Sequence, residues 1–201
     1  MTFATVNPLV NKYAQRSPDH LMDTVMMVVL SIQQQWHTVG TLMHDYREYG
    51  GASKYVWGNK KQTYAWLKDH KVRLYQEAVN AGDDSAALMM AFLKVPGLGL
   101  PKAGFACQLW NGSVGCIDVH NLRNYDISEA DLKVDKNAKP HTIRAKVDRY
   151  VKWCEKRRSE FLWNRWCQMV AAKYPNRWAD YTHVSQVHID YLLGENTNDN
   201  T

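Results

Sequence analysis

Cysteine is scarce in this chain, and the little there is follows no metal-binding interval. Cys107, Cys116, Cys154 and Cys167 are the only four. No two stand at the close spacing of a zinc site, and there is no four-Cys loop of the iron–sulfur kind. The sequence therefore predicts no metal and no cofactor. Its thiols, set in apolar helix-like or strand-like contexts, are expected to be free in a reducing compartment, the cytoplasm. His37, His44, His141, His183 and His188 add no pattern of the HExxH type. Long apolar runs are missing as well: no stretch is long enough to cross a bilayer, and none reads as a signal peptide. There is no Pro/Ser-rich linker and no internal repeat.

What is present is aromatic and basic. A chain of 201 residues can bury a core in one or two small domains. Eight Trp and eleven Tyr are many for that length; some belong to a core and others are available to stack on bases. The net charge of +5 is unevenly placed. Residues 133–177 hold thirteen Lys and Arg against four Asp and Glu, a local +9, while the first 132 residues balance at zero. Such a run is either a solvated helix face or a surface for a polyanion.

Apolar spacing makes the whole chain read as all-α, with about eight or nine helices. Val6, Leu9, Val10 and Tyr13 suit a short amphipathic helix. Ser17 caps the next, with Pro18 at its first position. Leu21, Val25, Val28, Val29 and Ile32 form one buried face of that helix, which ends in Ser31-Ile32-Gln33-Gln34-Gln35-Trp36. Another helix runs from Trp36 to Tyr49, with Val39, Leu42, Met43 and Tyr46 at helical spacing, and Gly50-Gly51 stops it. Residues 50–62 read as a loop. There Lys54, Lys60 and Lys61 suit phosphates, and Tyr55 and Trp57 either stack on a base or pack on a neighbouring helix. Residues 63–80 are helical, and Gly82 to Ser85 caps a helix from Ala86 to Lys94. Later, Ser128 opens a capping box with Asp131 where Glu or Gln is usual. After a polar connection, Thr142 caps a long helix to about Lys173. Val147, Val151 and Cys154 face inward on it, and Lys152, Lys156, Arg157, Arg158 and Arg165 outward. A last helix spans Val184 to Leu193.

Between these lies the stretch around which the chain is organised, residues 95–125. Pro96-Gly97-Leu98-Gly99 is a tight hairpin: Pro cannot continue the preceding helix, and Gly supplies positive φ. A helix then starts at about Leu100–Pro101 and runs to Gly112. Its first turn presents free N–H groups next to glycines, which suits a phosphate. Asp118 follows in Cys116-Ile117-Asp118-Val119-His120, a lone carboxylate among apolar neighbours.

The order Val95, Pro96, Gly97, Leu98, Gly99, a short helix, then Asp118, His120 and Arg123 resembles the helix-hairpin-helix DNA glycosylase superfamily. These are the relatives of endonuclease III, here in a form without the iron–sulfur cluster. VVLSIQQQW resembles a second family element, an apolar helix ending in LS-x-Q. Gln33 is the matching position and Gln34 stands beside it. The resemblance covers residues 17 to about 125. It implies two helical subdomains with an active-site cleft between them. Residues 36–117, with the helix-hairpin-helix at about 86–112, make one; residues 1–35 and 118–193 make the other, and 194–201 form a disordered tail.

The activity implied is that of a DNA N-glycosylase, working on double-stranded DNA as a monomer. A damaged, modified or mispaired base is flipped out and the Gln33 amide fills the gap. The amides of Gly97, Leu98 and Gly99 hold a phosphate, with Arg123 as a further DNA contact. Asp118 is the catalytic carboxylate, which stabilises positive charge on the sugar or deprotonates a water. Trp36, Tyr55, Trp57 and His120 are candidates for the base pocket; His120 equally suits a packing role. Members that also cut the strand carry a Lys two residues after the second Gly. Here that position is Pro101, with Lys102 one later, turned by about 100°. Lys102 either reaches the pocket as a second catalytic group or faces a phosphate or solvent, and the chain resembles the monofunctional members more. Two alternatives stay open: a transferase on hypermodified thymine in viral DNA, as in some virus-encoded relatives, and a non-catalytic DNA-binding protein.

Overall fold

The computed structural model of the chain describes residues 17–34, 38–111, 113–118 and 127–157. They form seven α-helices: α1 (Pro18–Leu30), α2 (Val39–Tyr49), α3 (Asn59–Ala81), α4 (Ser85–Leu93), α5 (Leu100–Asn111), α6 (Glu129–Leu132) and α7 (Pro140–Arg157), with a single 3-10 turn at Gly50–Ala52 after α2. No strand occurs among the described residues, so their fold is all-α. No described helix is long and apolar enough to cross a membrane. The helices expected near Val6–Tyr13 and at 184–193, the part of the basic helix beyond Arg157 and the 194–201 tail lie outside the described residues. So does much of the subdomain expected from the chain ends.

The architecture is arranged around α1. Ser17 caps it, its Oγ accepting from the His20 amide at 3.2 Å, and Pro18 occupies the first turn, where its missing N–H is no loss. Helices α2, α3 and α5 all pack on α1, and α4 packs on α3, α5 and α7. Every residue from Leu21 to Leu30 is therefore buried. This corrects the expectation of a single buried face: Met26, Met27 and Leu30, on the far side of the helix, are as enclosed as Val25 and Val28. A helix that is apolar all round belongs inside a core. Its one charged side chain there, Asp23, lies 3.8 Å from Arg47 of α2.

Two other boundaries differ from the sequence reading. The loop after α2 is shorter than 50–62, because α3 begins at Asn59 and takes Lys60 and Lys61 into its first turn. The long basic helix starts at Pro140, not at a Thr142 cap; Lys139 O accepts from the amides of Thr142 and Ile143 at 2.9 and 3.2 Å. Proline needs no carbonyl partner, so it fits a first turn better than a cap two residues later does. Ser128 caps α6 as expected, its Oγ accepting from the Asp131 amide at 3.2 Å, while the Asp131 carboxylate accepts from the Ser128 hydroxyl at 2.6 Å.

Truncation on the unexpected face of α1 tests this arrangement. Met26→Ala should lower unfolding free energy by about 2–5 kcal/mol, the cost of a cavity in a closed core. Urea denaturation measures it, and a solvent-facing Met would show almost none.

Candidate functional site

The hairpin that joins α4 to α5 is built so that its acceptors face the protein. The chain leaves α4 with the Lys94 and Val95 amides folded back onto Ala91 O and Phe92 O. Gly97 then adopts φ +83°, which a side chain resists, and a Cβ there would stand 3.2 Å from the Thr63 hydroxyl. Leu98 is wholly buried and pins the turn to the core. Thr63, near the start of α3, donates to Pro96 O at 2.8 Å. Lys136, from the connection before α7, donates to Val95 O at 2.7 Å. Gly99 O accepts from the Ala103 amide at 2.9 Å. No backbone hydrogen bond engages the Gly97 or Gly99 amide among the described residues. Val95 O, Pro96 O and Gly99 O are thus occupied, and the Leu98 amide, expected to hold a phosphate, is instead folded onto Val95 O at 3.3 Å, which leaves the Gly97 and Gly99 amides to face an anion.

The segment that carries Asp118 is held from two helices. Tyr150 of α7 places its hydroxyl between two backbone groups, donating to Gly115 O at 2.8 Å and accepting from the Ile117 amide at 2.7 Å. Between them, the Cys116 amide donates to Gln108 Oε1 of α5 at 3.2 Å. Cys154, one turn along α7, has its thiol 3.7 Å from Gly115 O. Tyr150, Gln108 and Ile117 are all buried. This crossing needs Gly104 in α5, where a Cβ would meet Gly115 O at 2.5 Å and the Tyr150 hydroxyl at 2.6 Å. Asp118 is the next residue out and is half-buried.

Lys102 and Asp118 both bear electrostatically on one sulfur. Burial pushes the Cys116 thiol up to about 12, the Lys102 ammonium pulls it down, and the Asp118 carboxylate and Cys154 raise it. Lys102 is half-buried in the first turn of α5, its Nζ 5.9 Å from the Phe105 ring centre. A cation from the hairpin side and a carboxylate from the anchored segment therefore share one neighbourhood. Cys107, Cys116 and Cys154 are free thiols.

The remaining expected site residues are dispersed. Gln33 and Gln34 are exposed in the turn that ends α1, and Gln33 has φ +58°, rare for a residue with a side chain. The two loop aromatics part company: Tyr55 packs on the core, whereas Trp57 is 67% exposed. Trp36, His120 and Arg123 lie outside the described residues. The basic run is less free than its count suggests. Arg144 pairs with Asp148 and Asp84, Arg149 with Asp131, Lys133 with Glu129, and Lys136 serves the hairpin.

Sequence reasoning missed Thr63, Gly104, Gln108, Lys136 and Tyr150. Tyr150 was within reach, since it continues the inward stripe of Val147, Val151 and Cys154. A glycine inside a helix, such as Gly104, asks for a packing reason. Nothing local announces a hydrogen bond between Lys136 and Val95.

Two outcomes test the anchor. Tyr150→Phe removes the acceptor of the Ile117 amide and leaves Gly115 O only the Cys154 thiol, and should cost about 1–3 kcal/mol by urea denaturation. The site should also loosen in alkali. Burial raises the Tyr150 hydroxyl and the Cys107 and Cys116 thiols above their unfolded values. The folded state keeps those protons longer, so their contribution is complete below about pH 9 and falls as pH climbs toward 12. Melting temperature measured across that range should drop, and less steeply in Cys116→Ala. Comparison with protein-family models, with curated protein sequences and with solved structures finds no match for this chain.

Proposed function

We propose that this protein is a monofunctional DNA N-glycosylase of the helix-hairpin-helix superfamily, acting as a monomer on double-stranded DNA in the cytoplasm. One observation carries the reading. The Gly97–Gly99 elbow, with the Gly97 and Gly99 amides free of backbone partners among the described residues, leads into the helix turn bearing Lys102, and Lys102 and Asp118 both act electrostatically on the Cys116 thiol. A carboxylate held near an anion-binding elbow matches what cleavage of a glycosidic bond in DNA demands. The strand is gripped through a phosphate, and the acid meets the positive charge that builds on the sugar.

In this reading the elbow amides take a backbone phosphate beside the target nucleotide. The nucleotide rotates out of the stack, and Gln33, exposed at the end of α1, enters the space it leaves. Asp118 stabilises the oxocarbenium-like sugar or takes the proton of the attacking water. Lys102 adds a positive charge that draws the strand in. No Schiff base is needed, and the released product is the free base with an intact abasic strand.

The test uses duplexes that carry uracil, 5-hydroxymethyluracil, 8-oxoguanine, an alkylated purine or an A·G mismatch, followed by hot alkali. Cleavage at one of these should appear and fall by at least about 100-fold in Asp118→Asn. Strand breaks without alkali that vanish in Lys102→Ala would overturn the monofunctional assignment. A DNA mass shift on pyrophosphorylated hydroxymethyluracil, with no excision, would replace glycosylase by transferase. Binding without any change to the DNA would leave only a binding module.

A further inference from the structure

The first turn of α3 sits against the hairpin. The Thr63 hydroxyl lies 3.0 Å from Asn59 O and 2.8 Å from Pro96 O, so the start of α3 and the hairpin meet at one atom. Two residues before Asn59 stands Trp57, the most exposed of the large apolar side chains described. Its backbone is therefore within about 7 Å of the Asn59 backbone, whose carbonyl meets that junction. Lys60 Nζ lies 5.8 Å from the Trp57 ring centre, a cation on the indole. Lys54 and Lys61 flank it, and the whole of residues 50–62 contains three lysines and no carboxylate. Asp45 is the acid that reaches this loop, and the Ser53 hydroxyl donates to it at 2.5 Å.

Among the described residues this indole is left 67% exposed, and the charged side chains of its own loop are all lysines. Both features describe a platform for a nucleobase whose phosphates run past lysines. A paired base hides its faces in the duplex stack, so only an unpaired base can lie flat on an open indole. Trp57 is too exposed to wall a closed pocket.

We propose that Trp57, with Lys60 and Lys61, is a single-strand platform beside the elbow: it stacks an unpaired nucleobase roughly one or two nucleotides from the phosphate held at Gly97–Gly99. The inference rests on the strand-gripping part of the proposed function. It adds a substrate class, DNA that is locally single-stranded next to the target, such as a gap, a bubble or a strand end.

Fluorescence anisotropy on the full chain tests it, with labelled oligothymidylate and a blunt duplex of equal length as probes. Trp57→Ala should weaken oligothymidylate binding by about tenfold, the loss of one stacked base, and leave the duplex within about twofold. Trp57→Phe should recover most of the loss. Lys60→Gln with Lys61→Gln should weaken both probes and flatten the salt dependence of each. Equal loss on both probes, or none on either, in Trp57→Ala would overturn the platform while leaving excision by Asp118 intact. Failure of the wild-type chain to bind either probe would overturn the platform and the glycosylase reading together. Circular dichroism melting shows that each variant is folded.

Discussion

A single phenolic oxygen governs where the candidate acid sits. The Tyr150 hydroxyl bridges Gly115 O and the Ile117 amide in a space that exists because residue 104 has no side chain. Both backbone groups are buried, so each would carry a large desolvation cost without a partner. The bridge ties the chain after α5 to α7, and Gln108 ties the intervening Cys116 amide to α5. Asp118 follows a backbone whose last three residues are already fixed. A carboxylate on an unanchored loop would have to be ordered at the moment of reaction; here that ordering is part of folding.

The same economy of design shows in the elbow. A Gly-rich turn offers amides and carbonyls in equal number, and it attracts an anion only when the carbonyls are withdrawn. Thr63 and Lys136, from elements far apart in sequence, take Pro96 O and Val95 O, and α5 takes Gly99 O. Which of its carbonyls are covered is therefore a tertiary property: the glycines permit the turn, while two remote donors cap Pro96 O and Val95 O.

That division explains what could be read from the sequence. Local chemistry was legible: the Ser17-Pro18 start of α1, the Ser128–Asp131 cap and the Pro-Gly turn all depend on neighbours within a few residues. The inward stripe of α7 was legible by period, although Tyr150 was easy to overlook because a tyrosine suits both core and surface. The second buried face of α1 was not legible. Periodicity reveals one apolar side, and whether Met26 and Met27 are covered depends on α3 and α5. Lys136 counts in sequence only as part of a basic run open to solvent or a polyanion, since nothing near it signals a carbonyl 41 residues earlier. The position of Lys102 illustrates the same limit: spacing fixes its angle on the helix, but only the packing of 113–118 near α5 puts the Cys116 thiol within its field.

The enclosure of α1 has a mechanical meaning. Its amides can exchange with solvent only when the whole molecule opens, so this helix should be the stiffest post in the fold. Gln33 stands on the end of that post, with its backbone held in a left-handed turn. Force applied to the amide is transmitted along α1 into three packed helices and is not absorbed by a bending loop. A side chain mounted this way can act as a fixed stop, and whatever presses against it must itself be the part that yields.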